Sequence, residues 1–445
     1  MKQHLIALSL ALGFAAASAY TLAEDAVAPG SAPATTPAPA ASPLANASAA
    51  QLAEAMKKAL DDSGFQFEGY LRSGFYGGGK DEPRAQYQLG GDLQHFRLGN
   101  EGDTYGEFGI GKKWTTSGGA SWGVYVMPTF YSYNPVIGDS GSSSKTSAAQ
   151  LYAYLSGLDF APDLTFWAGQ RYHRIQDIHI VDNWLVQDGD NYGAGVDGIH
   201  IGQTARLNLS ASTSGSYGND NAQLNNARRV NFQLTKIPLN PGGTLTVTGG
   251  VISGDFAIGK AGSAWGLLHN QQDFLVKGLN NSLFLQTADG HASLSGEFYN
   301  LDSNGAAQAG ARQHRIAEVI NWQLGRFGGQ ALAGYQTVAP DNAPHYKDFS
   351  LGGRLSYGVA ANVKLLAEGA VTSRKVDNAD TQRLDKATLA VAFSPDTGFW
   401  SRPEFRLYVS HFNWNNAAAA ANLSSFGASG RTSATTYGAQ IEAWW

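Results

Sequence analysis

The stretch YGAQIEAWW, residues 437–445, decides the fold. Its odd positions are Tyr437, Ala439, Ile441, Ala443 and Trp445, and its even positions are Gly438, Gln440, Glu442 and Trp444. A strand sends successive side chains to opposite faces, so this segment has one greasy wall and one polar wall. An aromatic at the end of such a strand is the position expected of an outer-membrane assembly signal. The same period of two recurs upstream. Phe405, Leu407 and Val409 alternate with Glu404, Arg406 and Tyr408; Leu351, Leu355 and Tyr357 alternate with Ser350, Arg354 and Ser356. In Phe65 to Phe75 the odd positions carry Phe65, Phe67, Gly69, Leu71 and Phe75 against Gln66, Glu68, Tyr70 and Arg72.

Two architectures share this pattern, a soluble sandwich with an apolar core and a membrane barrel with an apolar outside. Arg and Glu in the middle of strands suit a wet channel better than a solvated face. Connections alternate between tight turns, such as Pro241-Gly242-Gly243, and long Gly/Ser/Asn loops, such as Ser212 to Ala227. That alternation fits short periplasmic turns and longer extracellular loops. The roughly 380 residues from Phe65 onward, at about 20 per strand and connection, give about 16 to 20 strands, enough for an aqueous lumen. The expected class is all-β, a transmembrane antiparallel β-barrel.

Composition agrees. Glycine makes up 54 of 445 residues and aromatics 11%, with 3 Met and no Cys. Mean hydropathy is only -0.23, as expected when apolar surface is hidden on alternate residues. The lack of cysteine excludes thiolate metal sites and cysteine nucleophiles. A net charge of -5 supplies no basic surface for nucleic acid.

The first 64 residues read differently. Lys2, the apolar run Leu5 to Ala17 and the small-x-small Ala17-Ser18-Ala19 form a signal peptide over residues 1–23, cleaved after Ala19 or Ala23. The run is too short for the ~20 residues of a spanning helix. Residues 24–64 form a Pro/Ala-rich periplasmic linker with a short helix. Ser48 to Gln51 could be its capping box, and Leu52, Met56, Ala59 and Leu60 share one face. That helix either trimerises or remains a tether.

FEGYLRSG, FRLGNEGDTYGEF, FWAGQRYHRIQDIHIVD, NPGGTL, FWSRPEFRLYVSHFNW and YGAQIEAWW recur in order from Phe65 to Trp445. In these segments the chain resembles the maltoporin family of sugar-specific outer-membrane porins. The resemblance implies 18 strands, a homotrimer, an inward-folded third loop and a lumen rail of aromatics along which sugar rings slide. Tyr70, Tyr105, Trp400 and Trp444 match rail positions, and all share parity with charged residues. Phe284, in parity with Gln286, is the candidate for a fifth position. Tyr131, Tyr133 and Trp122 are candidates for a sixth, on the second extracellular loop. Arg72, Arg97 and Glu107 match the polar track beside the rail, as do Asp177, His179 and Asp182 on the inward loop. Pyranose C–H faces stack on aromatic planes while hydroxyl edges meet charged groups.

Three departures stand out. Ile175 occupies the position of a loop Arg, with Arg174 one place earlier. Trp184 replaces a Tyr at the narrowest point, and Gly102 stands where the family has a first-loop cysteine. The D-x-H-x-x-D spacing of Asp177, His179 and Asp182 fits no metal signature, and Glu107 with Asp177 shows no sign of a tuned glycosidase pair. Gly77-Gly78-Gly79-Lys80 lacks the βα unit of a phosphate loop. No cofactor, metal or catalysis is expected. The expected partners are mono- or oligosaccharides and outer-membrane lipid. The tether resembles that of sucrose porins, a subgroup with a wider constriction. Trp184, which narrows the lumen directly, favours linear maltodextrin-like glucose oligomers over sucrose. A general diffusion porin and an outer-membrane hydrolase or adhesin are the competing readings.

Overall fold

In the computed structural model the described residues are 58–59, 62–79, 86–132, 144–189, 192–214, 226–256, 258–301 and 309–445. The expected signal peptide and nearly all of the linker and its helix lie outside them. The first strands are β1 (Phe65–Gly77), β2 (Thr104–Thr115), β3 (Ser121–Ser132), β4 (Ser144–Leu158) and β5 (Ala161–Gln170). A small hairpin follows, β6 (Arg174–Ile178) and β7 (Asn183–Gln187), joined through a 3-10 turn at His179–Val181. Then come β8 (Tyr192–Ile201), β9 (Ala205–Thr213), β10 (Arg228–Asn240), β11 (Gly243–Ser253), β12 (Gly262–Gln271) and β13 (Leu279–Ala288). The run ends with β14 (Ala311–Leu324), β15 (Phe327–Pro340), β16 (Tyr346–Ala360), β17 (Val363–Val376), β18 (Gln382–Phe393), β19 (Glu404–Trp414) and β20 (Ser433–Trp444).

All strands except β6 and β7 form one antiparallel sheet of 18, each paired with its neighbour in sequence across the hairpin. β1 pairs with β20 from Tyr70↔Trp444 to Gly77↔Tyr437, which closes the barrel and leaves no sheet edge. The strand count meets the expectation from the family resemblance. The period of two survives as inside and outside. On β19, Phe405, Leu407 and Val409 are exposed on the outer face while Glu404, Arg406 and Ser410 are 1%, 1% and 0% exposed on the inner one. Turns at the end of the barrel where β1 begins and β20 ends are mostly tight, and connections at the other end include the long loop between β9 and β10. The former is therefore the periplasmic end.

The interior is filled further than the strand pattern announces. Besides β6–β7, the segment 86–103 between β1 and β2 folds inward, with Tyr87, Leu89, Phe96 and Leu98 at most 2% exposed. It is bonded to the far wall: Leu98 N–H donates to Glu368 Oε1 at 2.9 Å, and Lys386 Nζ donates to Leu98 O at 2.7 Å. Gly352 on β16 makes room for it, since a Cβ there would lie 2.5 Å from the Phe96 ring. A third segment, between β13 and β14, meets the hairpin through Gln187 N–H and Ser295 O, 2.9 Å apart.

Candidate functional site

Strand register places the expected rings. Tyr70 lies across from Glu107 on β2 and from Trp444 on β20; Arg72 lies across from Tyr105, and Tyr105 from Tyr131 on β3. Ring centroids are 6.4 Å apart for Tyr131 and Tyr105, and 6.1 Å for Tyr105 and Tyr70. At the periplasmic end Trp444 and Trp400 lie 6.5 Å apart. Trp400 stands in the connection between β18 and β19 and is 41% exposed. His179, at the tip of the inward hairpin, packs 5.4 Å from Trp400 and 5.5 Å from Trp444. Trp445 points the other way and lies 5.7 Å from Phe108, so the terminal pair divides between lumen and membrane face. Of the three candidates for the loop position, Tyr131 joins the rings, Trp122 is 54% exposed on the outer face, and Tyr133 lies outside the described residues.

Guanidinium groups lie over three of these rings. Arg72 is 5.3 Å from the Tyr105 centroid, Arg97 5.9 Å from Tyr70, and Arg402 4.2 Å from Trp444. Such contacts hold a ring at a fixed tilt. The arginines are held in turn by carboxylates. Arg72 binds Asp103 at 2.8 Å, Glu101 at 3.1 Å and Asp182 at 3.0 Å; Arg97 binds Glu101 at 2.7 Å. The Tyr70 hydroxyl accepts from Arg97 Nη2 at 2.5 Å and donates to Glu442 Oε1 at 2.9 Å. Glu442 also accepts from Arg402 and Arg406.

Burial corrects one expectation. Side chains of Arg72 and Arg97 are only 8% and 3% exposed, so they stand behind the rings instead of presenting N–H groups to the lumen. Asp182, 47% exposed, is the charged member open to the channel. Burial opposes its charge, but Arg97 and Arg72 dominate and hold its carboxyl below the usual range. Glu107 accepts from Tyr105 and, at 2.8 Å, from Tyr172, a ring that sequence reasoning did not single out. His179 is 4% exposed, and burial pushes it down to about 4 despite the nearby Glu442. It is therefore a neutral ring at neutral pH.

Phe284 needs the second correction. Its side chain does point inward, but it is 1% exposed and sits among Leu268, Val319, Leu332, Ile180 and Leu185. The hairpin covers it, so it offers no face to the lumen. Ile175 packs against the same cluster. Arg174 carries the loop's charge, with its guanidinium 3.3 Å from the Tyr172 centroid and 5.7 Å from that of Trp184. Asp177 lies across from Trp184. Burial, reinforced by Asp182 and Glu442 and opposed by Arg97, raises its carboxyl to about 7.

The root of the hairpin is anchored by groups that no motif disclosed. His173 Nδ1 lies 2.7 Å from Asp188, and Arg229 donates to the carbonyls of Asp188 and Gly189 at 3.0 Å each. Burial disfavours a charged His173, but its bonds to Asp188 and Asp197 prevail and raise it to about 9. A cavity of about 350 Å³ is lined among others by Arg72, Asp92, His95, Asp103, Tyr131 and Asp182.

Comparison with known proteins places this geometry. In fold the chain is similar to Acinetobacter baumannii OccAB1, with 10% identity, a TM-score of 0.50, and coverage of 86% of this chain and 96% of the other. It is also similar to Pseudomonas aeruginosa OccK1 (OpdK), with 11% identity, a TM-score of 0.49, and coverage of 86% and 98%. A third likeness is to Vibrio cholerae OmpT, with 9% identity, a TM-score of 0.41, and coverage of 86% and 97%. Residues 65–445 match the family model described as LamB porin. The chain therefore belongs to the LamB porin family, and it is a β-barrel channel of the bacterial outer membrane.

Proposed function

We propose that this porin passes sugars by passive, saturable diffusion, as a homotrimer and without a cofactor or an energy source. The observation that carries the reading is the line of lumen rings, Tyr131, Tyr105, Tyr70, Trp444 and Trp400, with guanidinium groups laid over Tyr105, Tyr70 and Trp444. A pyranose stacks its C–H face on each ring in turn, while Asp182 and Glu107 meet its hydroxyl edge. A general pore has no use for fixed rings in its lumen. Hydrolysis would need a carboxylic acid poised against a second carboxylate with room for a water. Here Glu107, Glu442 and Asp182 are each bonded to phenol or guanidinium groups.

Linear glucose oligomers are the favoured cargo. On this reading Trp184, beside Arg174, is the ring that narrows the passage, which suits a thin chain better than a compact disaccharide. Ile175 removes the family's loop Arg, so affinity is expected below that of a typical maltoporin, with Arg174 making up part of the loss. Titration of single-channel current with maltotriose and with sucrose tests this. Maltotriose should block at lower concentration, and Trp184→Ala should raise sucrose flux. Tighter block by sucrose overturns the cargo, and no saturable block by either overturns the sugar site. Reducing ends released from maltodextrin would reveal a hydrolase, and chemical cross-linking in detergent should stop at three copies.

A further inference from the structure

The outer face carries a charge pattern that the channel does not explain. Arg312, Lys347, Lys375 and Arg383 each stand one residue in from the extracellular end of their strands β14, β16, β17 and β18. All four alternate with inward residues such as Gln313, Asp348 and Leu384, which are buried, so they point outward. Two residues below, the outward positions are His314 on β14, Phe349 on β16, Ser373 on β17 and Asp385 on β18, so at this level the apolar band begins on β16. Phe349, two residues below Lys347, is 40% exposed and lies across from Tyr335, 42% exposed; Leu351 below is 50% exposed. An aromatic step between an apolar band and basic side chains marks the level of lipid headgroups.

Lys347 and Lys375 are direct cross-strand partners. Like charges at that spacing, about 5 Å between Cβ atoms, repel and weaken the sheet. Lys347 and Arg312 make no ion pair among the described residues, and Lys375 finds only the Ala379 carbonyl, 2.6 Å away. Arg383 has one carboxylate, Asp385, at 3.2 Å. An anion seated between the two opposed lysines relieves that repulsion. The opposite arc differs: the outward residues near the extracellular ends of β1, β2, β3, β5 and β8 include Phe75, Gly106, Phe130, Ala168 and Tyr192, none of them charged. A further outward base stands at Arg228, at the extracellular end of β10, so what sets the β14–β18 side apart is the cluster of four.

We propose that the β14–β18 face is a docking site for a phosphorylated glycolipid of the outer leaflet. Lys347 and Lys375 clamp one phosphate, and Arg312 and Arg383 flank it. Charge-assisted bonds from ammonium and guanidinium groups suit a phosphate dianion. At the headgroup level each is worth about fivefold in affinity at low salt, because the surface is only partly screened. The acyl chains would lie along Phe349, Leu351 and their neighbours below.

Native mass spectrometry of the purified, detergent-solubilised porin titrated with diphosphorylated lipid A tests the site. The parent should retain the lipid, and the quadruple variant Arg312→Gln, Lys347→Gln, Lys375→Gln, Arg383→Gln should bind at least ten times more weakly. Lys347→Arg with Lys375→Arg should bind as the parent does. None of the four side chains enters the lumen, so single-channel conductance should be unchanged, which also reports that the variant is folded. Retention of lipid A by the quadruple variant at the parent's affinity overturns the proposal. Equal retention of dephosphorylated lipid A by the parent overturns it as well.

Discussion

On β1, β2 and β20 the inward side chains are rings laid against arginines, with exposed faces and charged edges. On β12 to β15, under the inward hairpin, they include Leu268, Phe284, Ala317, Val319 and Leu332, packed against Ile178, Ile180 and Leu185 with no face left open. Both walls belong to one barrel and obey one alternation. What separates them is cover. A lumen-facing ring stays available only where no apolar surface folds onto it: the hairpin lays Ile178, Ile180 and Leu185 on the second wall, and meets the first through polar contacts such as Asp182 with Arg72 and through the edge of His179. The first wall can exchange contacts with a solute, and the second fixes the width of the passage by holding the hairpin in place.

The largest effect should come from the covered wall. Phe284→Ala empties a well-packed site and should cost about 3–5 kcal/mol of stability, read as a lower unfolding temperature in detergent. Loosening the hairpin should also raise ion conductance. If Phe284→Ala instead weakens sugar block while stability holds, Phe284 belongs with the open rings and the contrast collapses.

The open wall should respond in the opposite way. Trp400→Ala and Tyr70→Ala should each weaken sugar block about fivefold, for a lost stacking surface worth on the order of 1 kcal/mol. Conductance should stay similar or rise slightly. Arg97→Met sharpens the point, because it removes the group that holds Tyr70 and leaves Glu101, Glu442 and Asp182 less balanced. Weaker block together with greater cation preference is expected from reversal potentials. Unaltered block in Arg97→Met would reduce the guanidinium to bulk electrostatic lining.

The smallest effect concerns the strip between the walls. With its carboxyl raised to about 7, Asp177 is neutral below that pH and negative above it. Cation preference should therefore fall as the bath is taken from pH 8 to pH 6. Asp177→Asn should flatten that step. A step that persists in the variant would assign the titration to another group.

Much of the barrel was legible because alternation is local. Phe405, Leu407 and Val409 must face lipid if Glu404 and Arg406 are to face water, and no distant contact is needed to know it. Tyr70, Tyr105 and Trp444 were legible for the same reason. Trp400 was read from the family resemblance and from parity with Glu404 and Arg406, but it sits in the connection before β19, where parity has no force. Phe284 misled because parity reports the side of a strand and not what lies over it. Tyr172, Arg402 and the His173–Asp188 anchor carried no periodic signal and became visible only once loops were placed against strands.

Sequence alone determined the alternating strands, the two faces of each strand and the family, since these follow from the two-residue period and from motifs carried in order along the chain. Tertiary structure decided which inward residues remain open. The segments at 86–103 and 171–189 cross the lumen to contact strands as far away in sequence as Glu368, Gln330 and Arg229. Such contacts depend on loop paths that no local pattern encodes, because a loop's course is set by the distant partners that satisfy its backbone groups once it leaves water.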